Sequence, residues 1–212
     1  SLKGSERYAV TTSARKLQEI LRALPEQADI AMEAQNNRLI VKSGKSRFTL
    51  QTLPAEDFPK LPNATGAIVK ISIPQKAFKS LLLLVQYAMA QQDIRYYLNG
   101  MLLVLDADRL KVVATDGHRL AYASMQLADK STEPLEVILP RKAVQELVKL
   151  LGDTEDEVKL ELTATQVKLQ IQDVVLVSKV VDGKFPGYTR VIPTNYQKNF
   201  VIERSILQQA LQ

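Results

Sequence analysis

A short alternating strand that runs directly into an amphipathic helix occurs four times in these 212 residues: Tyr8 to Leu24, Lys70 to Met89, Glu136 to Leu151 and Phe200 to Gln212. A repeat at this spacing constrains the architecture before any single residue does, because every copy must bury the same face. The last residues before the four helices are Ser13, Pro74, Pro140 and Glu203, at intervals of 61, 66 and 63 residues. Counted from them, the apolar positions keep one phase: Leu17, Ile20, Leu21, Leu24; Phe78, Leu81, Leu82, Val85; Val144, Leu147, Val148, Leu151; and Leu207, Ala210, Leu211. This i, i+3, i+4, i+7 stripe predicts helices over 14–24, 75–89, 141–151 and 204–212. Phe58-Pro59 and Phe185-Pro186 each place a Phe 45 residues past Ser13 and Pro140, so the repeats pair into a larger unit.

The opposite helix faces carry the charge. Arg15, Lys16 and Arg22 oppose Glu19 on the first, Lys76 and Lys79 meet no acid on the second, Arg141, Lys142 and Lys149 oppose Glu146 on the third, and Arg204 stands alone on the fourth. The helices total +7 while the whole chain is +5, so the remainder is −2. A single helix of this kind is an ordinary solvated face. Four of one sign and one phase point to a surface that meets a polyanion.

At 46% hydrophobic residues the chain can bury an ample core in one or two domains. It opens on Ser1 and stops at Gln212 about two turns into a helix, and so reads as a piece of something longer. The absence of cysteine excludes disulfides, thiolate metal sites and cysteine nucleophiles and suits the cytoplasm. No signal peptide is visible, and no apolar run approaches the roughly 18 residues of a membrane span. Between the helices lie antiparallel strands. Ile30 to Ala34 and Arg38 to Lys42 flank an Asn36-Asn37 turn, Val158 to Leu162 and Gln166 to Gln172 alternate, and Asn99-Gly100 predicts a hairpin between Arg95 to Leu98 and Met101 to Leu105. Leu61 to Gly66 reads as a connector. The fold class is α+β, with a helical layer on antiparallel sheets.

His118, the only histidine, lies in Ala114-Thr115-Asp116-Gly117-His118-Arg119-Leu120. A hydrolase triad is disfavoured, because Asp116 and His118 flank a turn glycine and no nucleophile elbow exists. One His and no Cys make a poor zinc site. Asp116-Gly117 predicts a type I′-like turn that presents His118 and Arg119 at the edge of an apolar groove. The eight scattered glycines form no phosphate loop, and Asp153, Glu155, Asp156 and Glu157 read as a solvated turn. In a hairpin, Tyr96 and Tyr97 would face opposite ways, so one can be core while the other is free to stack on a base or pack on a sugar, with core the default for the pair.

Three motifs together, Asp93-Ile94-Arg95-Tyr96-Tyr97-Leu98-Asn99-Gly100-Met101, Val113 to Ala121 and Val181-Asp182-Gly183-Lys184-Phe185-Pro186, resemble the bacterial DNA polymerase III beta subunit family, the sliding clamps. The resemblance covers essentially the whole chain. It implies the second half of one clamp domain over 1–68, a complete second domain over 69–197 and the start of a third over 198–212. It also implies a head-to-tail homodimer ring with sheets outside and helices lining the hole, holding duplex DNA through its phosphates without reading sequence, and neither catalysis nor a cofactor.

Residue by residue, the resemblance places a pocket for the clamp-binding peptides of the DNA polymerase III catalytic subunit, the clamp loader and repair proteins at Leu98, Thr115, Gly117, His118, Arg119, Leu120, Pro186, Arg190 and Val191. Gln92, Tyr96 and Tyr97 correspond to positions near DNA, joining the helix cations, and Lys42, Lys45, Arg47, Phe48 and Leu50 to the subunit-contact edge. A peptide-capturing module without DNA binding is the second reading, and a hydrolase built on His118 the third.

Overall fold

The computed structural model describes residues 9–60, 66, 68–128, 134–195 and 197–212. Tyr8 and the connector from Leu61 up to Gly66 lie outside the described residues. The chain divides into two compact units, residues 1–62 and 63–212.

In the first unit, β1 (Val10–Thr12) leads into α1 (Ala14–Ala23), followed by β2 (Ala31–Gln35), β3 (Arg38–Ser43) and β4 (Ser46–Pro54). Ser13 caps the helix, its hydroxyl accepting from the Lys16 N–H at 3.4 Å. Asn36 and Asn37 both take positive φ, 51° and 57°, as the expected two-residue hairpin turn requires. The strands form one antiparallel sheet in the order β1-β4-β3-β2. Leu39, Val41 and Leu50 form its small core, with Leu17, Ile20 and Phe48 packed on them. No residue of α1 is fully buried, and Leu21 stays 36% exposed. One sheet covers only part of the helix stripe.

The second unit contains two successive repeats whose leading strands are exchanged. The first runs β5 (Val69–Pro74), α2 (Gln75–Leu83), β6 (Gly100–Asp106), β7 (Arg109–Thr115), β8 (Leu120–Gln126). The second runs β9 (Leu135–Pro140), α3 (Arg141–Leu150), β10 (Glu157–Leu162), β11 (Gln166–Ile171), β12 (Val174–Lys179). The sheets are ordered β12-β11-β10-β5 and β8-β7-β6-β9, so each repeat lends its first strand to the other's sheet. Phe78, Leu81 and Leu82 of α2 and Val144 and Leu147 of α3 share one core with the inner faces of both sheets.

The outer face of the β8-β7-β6-β9 sheet carries a second core. Leu102, Val104, Val113 and Ile138 point outward and are covered by Phe185, with Tyr97, Leu120, Val181 and Tyr188 packed around it. Residues 181–191 are tied down where the Val181 N–H donates to the Ile138 carbonyl at 2.8 Å. Coverage on both faces explains why Met101 to Leu105 is an unbroken apolar run.

Several sequence expectations are corrected. Asn99-Gly100 is not a hairpin turn: Tyr96–Leu98 is a 3-10 turn, and β6 pairs with β9 and β7 instead. The Asn99 side chain bridges the Asp93 backbone, and a Cβ on Gly100 would lie 2.4 Å from the Leu139 carbonyl oxygen, so both residues serve tertiary contacts. Asp116-Gly117 is not a type I′ turn, because of the pair only Gly117 has positive φ and the loop spans four residues between Thr115 and Leu120. The helix expected over 75–89 stops at Leu83, and a separate 3-10 turn, Gln86–Ala88, follows. Arg119 and Arg141 donate to carbonyls of that turn and of the residues after it. The fourth phrase has its helix, α4 (Arg204–Leu211), but among the described residues Phe200, Val201 and Ile202 pair with no strand, and they are exposed. Phe185 is buried whereas Phe58 is 62% exposed.

Candidate peptide and nucleic-acid interface

Where residues 186–191 cross the end of the β7–β8 hairpin, they leave a cavity of about 270 Å³. Eight of the nine residues expected there line it: Leu98, Thr115, Gly117, His118, Arg119, Leu120, Pro186 and Val191. Arg190 is exposed in the adjoining 3-10 turn, Tyr188–Arg190, and is not among the lining residues. Arg95, Tyr97 and Tyr188 complete the wall. Tyr97, expected near DNA, lies in this wall instead, and Arg95 and Tyr188 are not among the expected pocket residues. Tyr188 lies two residues past Pro186, close enough in sequence to have been included. Arg95 becomes legible only through its pairing with Asp93. Tyr188 stacks on Tyr122, centroids 6.0 Å apart, and burial pushes its phenol above the ordinary value.

Short hydrogen bonds fix the loop beneath the cavity. The Thr115 hydroxyl donates to the Arg119 carbonyl at 2.6 Å and accepts from the Gly117 N–H at 3.1 Å. The Asp116 carboxylate accepts from the backbone N–H groups of His118 and Arg119 at 3.0 Å and from Arg119 Nε at 3.1 Å. These backbone bonds stabilise the carboxylate and hold its pKa below the usual carboxylate range. Asp116 is thereby committed to the loop and to Arg119 rather than to the imidazole, which removes the orienting group a triad on His118 would need. Among the described residues no three His, Cys, Asp or Glu side chains gather as a metal-ligand set.

Both lining arginines carry their own acids. Arg119 pairs with Asp116, donates Nη2 to the Tyr87 carbonyl at 3.1 Å and lies over the Tyr87 ring. Arg95 makes a two-point pair with Asp93 at 3.0 and 2.8 Å. That pair, with the Arg95 N–H, lowers the Asp93 carboxyl to about 2. The cavity thus offers apolar wall from Leu98, Leu120, Pro186 and Val191 with its two arginine charges already compensated.

The helix cations fall into two classes. Among the described residues Lys16, Arg22, Lys142 and Arg204 are exposed with no acid within 4.0 Å. The rest are engaged: Arg15 with Glu19 at 3.0 Å, Lys149 with Glu146 at 3.0 Å, Lys79 with Asp153 at 3.2 Å and Lys76 with Glu155 at 4.0 Å. The acids of α2 come from the turn after α3, whose Thr154 and Asp156 carbonyls also accept the first N–H groups of α2. A turn read as merely solvated therefore caps and partly neutralises α2. Arg141 is half-buried, its Nη1 donating to the Met89 and Ala90 carbonyls at 2.9 and 3.5 Å. Gln92 and Tyr96 are exposed on the same loop, and Gln92 takes a left-handed φ of 55°. In the first unit Lys45 and Arg47 are exposed and Lys42 pairs with Glu33 at 2.9 Å. Phe48 is half-buried and Leu50 is buried, because the alternation of β4 turns both toward the core.

Sequence profiles of two domains match this chain: the central domain of the DNA polymerase III beta subunit over residues 72–187 and its N-terminal domain over 1–62. The beta sliding clamp of Salmonella typhimurium is 44% identical over 202 residues, covering 95% of this chain and 55% of that relative. The Escherichia coli beta sliding clamp is 43% identical over the same shares. Among solved structures, a Pseudomonas aeruginosa sliding clamp bound to griselimycin matches with a TM-score of 0.87 at 43% identity, over 95% of this chain and 54% of that one. A Bacillus subtilis clamp matches with a TM-score of 0.80 at 32% identity, over 88% and 49%. The chain spans about half the length of the relatives it matches. With two adjoining domain profiles matched in order, the chain belongs to the DNA polymerase III beta subunit family of sliding clamps.

Proposed function

We propose that this chain is the part of a DNA sliding clamp that captures partner peptides and lines the DNA channel, acting as a processivity factor in the cytoplasm rather than as an enzyme. Residues 1–68, 69–197 and 198–212 would be the second half of one clamp domain, a complete second domain and the opening of a third. In the full subunit, two copies join head to tail, with Lys42, Lys45, Arg47 and Phe48 at the contact edge.

The observation that carries this reading is the assembly of Leu98, the 115–120 segment, Pro186 and Val191 around one cavity. An apolar peptide side chain buried there gains about 1.5–3 kcal/mol. One or two such anchors give modest affinity, suited to partners that exchange, such as the polymerase catalytic subunit and the clamp loader. The helix cations attract phosphates through a long-range, salt-screened field with no sequence register, so the ring slides. Lys16, Arg22, Lys142 and Arg204 are the first candidates, because contact with phosphate breaks no ion pair.

The test is retention of the full-length subunit on length-matched circular and linear duplexes. Persistence on circles with loss from free ends is expected, and equal retention on both refutes sliding.

A further inference from the structure

The cavity wall formed by Arg95, Tyr97 and Leu98 is held from behind by residues outside the cavity. The Asn99 amide closes the loop, its Oδ1 accepting from the Asp93 N–H at 2.9 Å and its Nδ2 donating to the Asp93 carbonyl at 2.8 Å. The Ala90 N–H donates to the Leu98 carbonyl at 3.0 Å, giving the loop a second cross-tie. Asp93, fixed in this way, presents one carboxylate to three donors of Arg95: the backbone N–H at 2.8 Å, Nε at 3.0 Å and Nη2 at 2.8 Å. The oriented guanidinium reaches the neighbouring loop, where Nη2 donates to the Asp116 carbonyl at 3.4 Å. It also lies against Gly117, where an added Cβ would stand 3.1 Å from Nη2 and 3.2 Å from Nη1. Arg95 is thus the strut between the 93–99 loop and the 116–119 loop, and its own direction is set by Asp93.

Resting on the peptide-capture reading, we propose that Asp93 is a positioning residue for the cavity, orienting Arg95 and through it the 116–119 loop in the form that receives an apolar peptide. A free arginine side chain samples many rotamers and would lie across the cavity in some of them. The two-point pair selects one, as fork geometry does for arginine and carboxylate. It also compensates the charge at that wall, so the ligand it suits carries apolar anchors rather than an acid.

The test uses the full-length subunit and a fluorescein-labelled pentapeptide ending in Leu-Phe, with affinity read by fluorescence anisotropy. Asp93→Asn keeps the volume and an acceptor for the Arg95 N–H but removes the anion. Its affinity is expected to fall about tenfold, the scale of one charge-assisted hydrogen bond, with the native far-UV circular dichroism spectrum retained and only a small fall in thermal midpoint from loss of the exposed ion pair. Asp93→Glu recovers part of the loss. Because Asp93 acts through Arg95, adding Asp93→Asn to Arg95→Ala has no further effect, which a general structural role would not give. Unchanged affinity in Asp93→Asn, or additive losses in the double variant, overturns the positioning role while leaving peptide capture standing. Leu120→Asp is the control for capture itself: if the peptide still binds that variant, capture at this cavity fails and the positioning role falls with it.

Discussion

The Arg119 guanidinium carbon lies 5.6 Å from the centre of the Tyr87 ring, and Arg119 Nη2 donates to the Tyr87 carbonyl at 3.1 Å. One side chain thus joins the loop beneath the cavity to the 3-10 turn that follows α2. A cation suits that position, because the carbonyls at the end of a short helical turn lack partners. Tyr87→Ala is expected to lower stability by about 0.5–1 kcal/mol, the value of an exposed cation–π contact. It should also weaken peptide binding a few-fold by loosening Arg119, while Tyr87→Phe retains both. Urea denaturation and titration calorimetry check the pair.

Gly100 is where backbone meets backbone. A Cβ there would stand 2.4 Å from the Leu139 carbonyl oxygen and 2.9 Å from Ile138 Cγ2. Gly100→Ala is therefore expected to cost about 3 kcal/mol, the upper end for overpacking, because a β6–β9 ladder carbonyl cannot yield as a side chain can. A loss below about 0.5 kcal/mol in urea melts would be a surface-like result and would contradict this packing.

The two binding surfaces should respond differently to salt. Reversing Lys16, Arg22 or Lys142 to Glu in the full-length subunit should reduce the slope of log K for DNA against log salt by about 1 for each phosphate that the protein no longer neutralises. The same changes should leave peptide affinity unaltered, and that affinity should vary little with salt because Arg95 and Arg119 are already paired. Filter binding and calorimetry between low and moderate salt separate the two.

Acid should act on the cavity late. The Asp93 carboxyl lies at about 2 in the folded chain, against 3.8 for an unperturbed one. Between those values the unfolded chain binds more protons, so this pair contributes fully above about pH 4 and is lost as pH falls toward 2. The Gly117 amide resonance should hold steady from pH 8 to about 3 as far as the Asp93–Arg95 strut governs it, and move as pH approaches 2, where the folded-state carboxyl takes up its proton.

The first three copies of the strand-to-helix phrase, the helix phases and the Asn36-Asn37 turn were legible because each depends on local periodicity or on one dipeptide, whereas the fourth copy kept only its helix. The strand exchange that puts β5 beside β10 and β9 beside β6 was not, since alternation tells which face of a strand is buried and not which strand lies next to it. Asn99-Gly100 misled for a related reason: the dipeptide that favours a tight hairpin is equally suited to a side-chain clasp followed by a close backbone approach. Lys76 and Lys79 looked unopposed because their acids, Glu155 and Asp153, lie more than seventy residues away in sequence. Eight of the cavity residues were named from the resemblance, and Tyr188, two residues past Pro186, was within its reach, whereas Arg95 entered through a pairing with Asp93 that the fold brings about.

The central claim is that an apolar peptide seats in the cavity between the 115–120 segment and residues 186–191. Methyl NMR of the full-length subunit, titrated with a pentapeptide ending in Leu-Phe, tests it most directly. The expected result is saturable shifts at Leu98, Leu120 and Val191, with Leu39 and Val41 of the first unit unmoved. Shifts confined to other methyl groups, with those three silent at saturation, would contradict it.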